Sequence, residues 1–103
     1  MGYAISITVL MACYNAERYV NEAIESVLTQ SFGDFEFIIV DDGSEDRTPQ
    51  ILDEFAHRDS RIVLLRKQHT GLAASLNQGI QTARGEWIAR IDADDICHPQ
   101  RLH

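Results

Sequence analysis

Apolar residues along this chain fall into two rhythms, short continuous runs and runs with a three-and-four spacing, and the two alternate. Ile5 to Ala12 is a short apolar run rich in β-branched residues, which predicts a strand; Asn15, just after it, has the side chain of a helix cap. In the helix that follows, Val20, Ala23, Ile24, Val27 and Leu28 recur at steps of three and four, Asn21, Glu22, Glu25 and Ser26 take the other side, and Gly33 lies past its end. Phe35 to Val40 predicts a second strand, stopped by Asp41-Asp42-Gly43-Ser44, a turn-forming cluster whose oxygens can accept backbone hydrogen bonds from the next helix. That helix carries the stripe Ile51, Leu52, Phe55 and Ala56, with Pro49 in its first turn.

The pattern repeats with a strand over Ile62 to Leu65 and a loop from Arg66 to Gly71. A third helix then runs through Leu72, Ala73, Leu76, Ile80 and Ala83, closed by Gly85 as its C-terminal cap. Trp87 to Ile91 forms the fourth strand, with Trp87 expected in the core. Strands that are apolar on both faces, separated by amphipathic helices, predict the α/β class: a mostly parallel sheet with helices on both faces.

A length of 103 residues fits one domain, and 45% hydrophobic with 24% charged residues is the composition of a chain that folds. Charge changes the picture more. Nine basic against 16 acidic residues leave a net charge of −7, which excludes a phosphate-backbone binder of the basic kind, so no nucleic acid is expected. An acidic protein that holds a phosphorylated small molecule needs a cation between carboxylates and phosphates. Cys13 and Cys97 form no Cys-x-x-Cys pair, which fits a reducing compartment and buried structural roles; Cys97-His98 lacks the second pair of ligands that a zinc site needs. Neither a run of about 20 apolar residues nor a basic-then-apolar leader is present, which predicts a cytoplasmic chain without a membrane span.

In open α/β sheets, ligands bind beyond the carboxyl ends of the strands. The predicted first strand delivers Ala12, Tyr14 and Asn15 to that edge, the second Asp41 and Asp42, and the fourth Asp92, Ala93, Asp94 and Asp95. Two carboxylates one residue apart can share a hard divalent cation such as magnesium or manganese. Taken singly, each acidic cluster reads equally as a solvated, helix-capping turn, and Tyr14 as a rim residue. Together, five carboxylates on one sheet edge incur a self-repulsion that a site without function has no reason to carry. His69, in an exposed loop, is expected neither to titrate usefully nor to contact phosphate.

In order, Val9-Leu10-Met11-Ala12-Cys13-Tyr14-Asn15, Ala23 to Gln30, Val40-Asp41-Asp42-Gly43-Ser44, Gly71 to Ile80 and Asp92-Ala93-Asp94-Asp95 resemble the N-terminal half of family-2 glycosyltransferases. The resemblance runs from Ile5 to Leu102, nearly the whole chain. It implies the Rossmann-like GT-A fold, truncated, with residues 1–103 as the donor-binding part. It implies an inverting, metal-dependent transfer of sugar from a nucleotide-diphosphate donor, UDP-sugar foremost, to an acceptor hydroxyl of a glycan or lipid-linked acceptor, in polysaccharide or cell-surface glycan synthesis. Carried over by position, Asp42 hydrogen-bonds the base, Tyr14 and the backbone around Ala12 pack against it, and Glu17 belongs to the same pocket. Asp92 faces ribose and metal, and Asp94 ligates Mn2+ or Mg2+.

This sequence departs from the family pattern at Leu76, where many relatives carry arginine, and at His69, where asparagine is frequent. The resemblance also puts the catalytic base beyond residue 103, so the chain alone is expected to bind nucleotide weakly and transfer no sugar. The longer enzyme is expected at the inner face of the membrane, and an open sheet edge gives this chain a route to a homodimer. A non-catalytic nucleotide-binding domain shares every one of these residues. A phosphorylation receiver would place its acidic pair after the first strand and a nucleotidyltransferase would put a glycine-rich loop there; this chain has neither.

Overall fold

The computed structural model describes residues 7–29, 35–85 and 87–92, the side chains of Leu72 and Asp92 excepted. Its elements alternate as expected: β1 (Ile7–Cys13), α1 (Val20–Leu28), β2 (Phe35–Asp41), α2 (Thr48–Arg58), β3 (Ile62–Arg66), α3 (Leu72–Thr82) and β4 (Trp87–Asp92). The four strands pair in parallel in the order β3-β2-β1-β4. β2 lies inside the sheet and is buried at every position, which is why it reads as a nearly all-apolar run with Glu36 as its interruption.

The two-residue period of the strands divides the core into two layers. Val9, Met11 and Cys13 of β1, with Phe35, Phe37 and Ile39 of β2, meet Val20, Ala23, Ile24 and Val27 of α1 and Leu52 and Phe55 of α2. On the opposite face Leu10, Ile38 and Val40 pack with Val63, Leu65, Leu76 and Ala83. Chain direction explains this division. The connections β1-α1-β2 and β2-α2-β3 step the same way across the sheet, so their helices share a face; β3-α3-β4 steps back past β1, and the same handedness sends α3 to the other face. Strand order therefore reverses between β1 and β4, and a reversal of this kind opens a crevice at the carboxyl ends.

Helix α3 is rotated from the stripe that hydrophobicity alone suggests. Ser75 and Gly79 are its buried positions, Leu76 is half-buried, and Ala73 and Ile80 are exposed. Small residues face inward because the helix lies close to β1: a Cβ on Gly79 would run into Leu10 Cδ1.

Gly85 is not the cap of α3, which ends at Thr82 with Ala83 at the C-cap position. It passes so close to β1 that a Cβ there would sit 2.6 Å from the Thr8 nitrogen, and its N–H donates to Thr8 Oγ1 at 2.9 Å. Thr8 in turn donates to Glu36 Oε2 at 2.7 Å, and Arg84 donates to the same carboxylate from its backbone N–H at 2.5 Å and from Nε at 3.2 Å. Burial pushes the Glu36 pKa up, but these hydrogen bonds and the Arg84 charge outweigh it and hold the carboxyl below its ordinary value. Trp87, expected in the core, is 72% exposed, because it opens β4, which pairs on one side only among the described strands.

Candidate functional site

At the carboxyl edge β1 and β2 end together, Cys13 beside Asp41, and the ladder continues one step as the Asp42 N–H donates to the Cys13 carbonyl at 2.8 Å. Asn15 does not cap α1, which starts at Val20 with no side-chain cap. Its backbone is left-handed (φ 49), a conformation that asparagine tolerates better than most residues. From there it bridges to the next loop: its N–H donates to Ser44 Oγ at 2.9 Å and its Oδ1 accepts from the Glu45 N–H at 2.8 Å. The Ala16 N–H donates to Thr48 Oγ1 at 2.9 Å. Glu17 joins the same seam, its N–H donating to Asp46 Oδ2 at 3.2 Å and its Oε1 accepting from the Arg47 N–H at 3.3 Å. The Asp41–Ser44 cluster does not serve the α2 backbone as expected: the Asp41 carboxylate takes the Ser44 N–H within the turn at 3.1 Å, and it is Asp46, two residues past the cluster, that takes the Thr48 N–H at the start of α2 at 2.9 Å.

Asp42 turns the other way, toward the loop before α3. Its Oδ1 accepts from Lys67 Nζ at 2.7 Å and from the Thr70 N–H at 3.0 Å. Its Oδ2 accepts from the Gly71 N–H at 3.0 Å and lies 2.9 Å from His69 Nδ1. A carboxylate only accepts, so Nδ1 carries the proton in that contact. The side chain is 4% exposed. Burial alone would push its pKa up, yet the hydrogen bonds from Lys67, Thr70 and Gly71 and the Lys67 charge prevail and hold the carboxyl well below the usual range. Gly71 reaches this position with φ 108, a left-handed backbone that glycine alone adopts without strain.

The rings of His69 and Tyr14 stack, with centroids 4.0 Å apart and planes at 21°. Both residues line a cavity of about 240 Å³, together with Ala12, Cys13, Asp42 and Ser75. The cavity stands at the strand-order reversal, and β4 ends beside it, since Asp92 pairs with Ala12. Three sequence-predicted residues, Ala12, Tyr14 and Asp42, therefore come together, Asp92 reaches the same edge by register, and Glu17 sits in the adjacent seam. Asp94, Asp95 and Cys97 lie outside the described residues. Two larger grooves, about 690 and 380 Å³, follow α1 and α2 instead and are lined by residues such as Glu25, Arg58 and Phe55, away from the strand ends.

Cys13 is buried as expected; burial, with the Asp41 and Asp46 charges adding, pushes its thiol up to about 12, so it is no nucleophile at neutral pH. Lys67 and Thr70 belong to the candidate site although sequence reasoning passed them over; Gly71 and Ser75, inside the Gly71 to Ile80 block, were given no role in it, and His69 does far more than a bare loop histidine. One signal was available: Lys67 is the only lysine in the chain and directly follows a strand whose carboxyl end faces the acidic edge.

The sequence profile described as glycosyl transferase family 2 matches residues 8–103. EpsH of Bacillus subtilis (strain 168), a protein with a glycosyltransferase name, is 43% identical over 94 residues, which are 91% of this chain and 27% of EpsH. Among solved structures, S. aureus TarS 1-349 in complex with UDP-GlcNAc superposes with a TM-score of 0.86 at 28% identity, covering 94% of this chain and 29% of that one. The mannosyltransferase PcManGT from Pyrobaculum calidifontis in complex with GDP-Man and Mn2+ gives 0.85 at 27% identity, covering 96% and 30%. The chain thus spans between a quarter and a third of the length of these proteins.

Proposed function

The chain belongs to glycosyl transferase family 2, and from that premise we propose that it is the donor-binding part of an enzyme that moves a sugar from a nucleoside diphosphate to an acceptor hydroxyl with inversion, in polysaccharide or cell-surface glycan synthesis. One observation carries this reading: the crevice at the β1/β4 reversal has a flat aromatic wall, Tyr14 on His69, and the last residue of β4, Asp92, in register beside it. A nucleobase offers the planar face that such a wall stacks on. UDP-GlcNAc and GDP-Man in the solved relatives support a nucleotide-sugar of this kind, and a UDP-sugar is the first candidate.

Tyr14 and the backbone around Ala12 pack against the base, and Glu17 keeps their loop pinned to the α2 turn. The Asp42 oxygens already take four donors, so a direct bond to the base requires one of the side-chain donors, Lys67 Nζ or His69 Nδ1, to give up its contact while the Tyr14–His69 stack stays in place. Asp92 ends β4 and Asp94 follows two positions on in the sequence; a pair of carboxylates so spaced is a hard donor set that would suit Mn2+ or Mg2+. Mn2+ in the mannosyltransferase relative supports that assignment. When bound, such a cation offsets the charge that builds on a departing nucleoside diphosphate. None of these residues is assigned as the base that deprotonates the acceptor, and sugar transfer by the 103-residue chain alone is not expected.

A thermal-unfolding panel tests this. UDP or GDP with manganese at ten times Kd adds about 1.4 kcal/mol of stability, a shift of several degrees for a domain of this size. Asp94→Ala removes the manganese-dependent part of that shift. A midpoint unmoved by any nucleoside diphosphate, with or without manganese, overturns the proposal.

A further inference from the structure

Ser75 occupies the first turn of α3, 0% exposed, and its hydroxyl has no hydrogen-bond partner among the described residues. A buried hydroxyl without a partner costs roughly 1–3 kcal/mol, so native structures rarely keep one without a use. A buried position on the α3 face that meets β1 suits a small residue, but alanine is as small and carries no such penalty. Ser75 also lines the 240 Å³ cavity. Asp42, on the same cavity, has both oxygens filled, two donors to each. Backbone groups at Ala12 lie in a strand paired on both sides. Among the described residues that line the cavity, the buried side-chain nitrogen or oxygen without a hydrogen-bond partner is therefore Ser75 Oγ.

We infer that Ser75 Oγ hydrogen-bonds the edge of the nucleobase whose face stacks on the Tyr14–His69 wall, and so contributes to base selectivity. The inference rests on the nucleotide-binding proposal above. A hydroxyl both donates and accepts, so it can meet a ring carbonyl or a ring N–H, and shielding from water makes that bond more discriminating than an exposed one.

Ser75→Ala separates the outcomes. Calorimetry of the 103-residue chain with UDP, CDP, GDP and ADP, each with manganese, is run on parent and variant alongside their unfolding midpoints without ligand. The expected result is a variant at least as stable as the parent, binding the preferred nucleotide about fivefold to tenfold more weakly, with the ratio between preferred and rejected bases reduced by a similar factor. Unchanged affinities for all four overturn the Ser75 assignment and leave the nucleotide proposal standing. Equal loss for all four bases also overturns it, since a packing effect has that signature. A parent chain that binds none of them overturns the nucleotide proposal, and this inference with it.

Discussion

Asp42 carries its charge where water scarcely reaches, and four donors converge on it from one loop. Replacement by asparagine keeps the size but turns one acceptor into a donor, which sets N–H against N–H on one side and leaves the half-buried Lys67 without its counter-charge. Asp42→Asn is expected to cost about 2–3 kcal/mol in urea unfolding at neutral pH. The pH dependence has a definite sign. A carboxyl whose folded pKa lies below its unfolded value of about 3.9 contributes fully above that value and loses its contribution as pH falls toward the folded pKa. The stability gap between parent and variant should hold from pH 7 to about 5 and narrow below about pH 4; a gap that widens on acidification contradicts the assignment. Cys13 gives a second residue-scale prediction. With its thiol pushed up to about 12, native protein at pH 8 should leave the Cys13 peptide unmodified by iodoacetamide, while urea-unfolded protein is labelled readily.

Elements differ in how plainly the sequence announces them, and the difference follows what each one packs with. α1 and α2 bury large apolar residues at helical spacing, Val20, Ile24, Val27, Leu52 and Phe55, so their faces are visible in a hydrophobic pattern. α3 buries Ser75 and Gly79, whose value lies in being small, and hydrophobicity has no way to mark closeness. Gly85 misleads for the same reason: its place after a helix suggests a cap, yet the absent side chain serves contact with Thr8. Gly85→Ala puts a Cβ against strand backbone that cannot swing aside, and a loss of about 2 kcal/mol or more in unfolding free energy is expected. A neutral result would mean that the junction between α3 and β4 shifts at little cost.

At the scale of the whole molecule the sheet edge that carries the candidate site was legible and the wiring of that edge was not. Parallel α/β topology sends ligands to the strand carboxyl ends, so Ala12, Tyr14, Asp42 and Asp92 follow from strand assignment alone. The groups that hold Asp42 stand 25 to 29 residues further along, and two of them are backbone N–H groups that no side-chain pattern reveals.

Net charge supplies the remaining test. A chain at −7 repels a nucleoside diphosphate unless a cation intervenes. In EDTA, raising ionic strength from about 10 to 150 mM shrinks the screening length from roughly 30 to 8 Å and weakens that repulsion, so nucleotide affinity should rise. With saturating manganese the dominant contact is attraction between diphosphate and a carboxylate-held cation, which the same salt screens, so affinity should fall. Calorimetry at the two salt concentrations reads both slopes. Opposite signs are expected, because the acidic edge helps binding only through the metal. A fall with salt in EDTA as well would assign the phosphates to the chain's own cations, with Lys67 and the arginines as the ones to substitute.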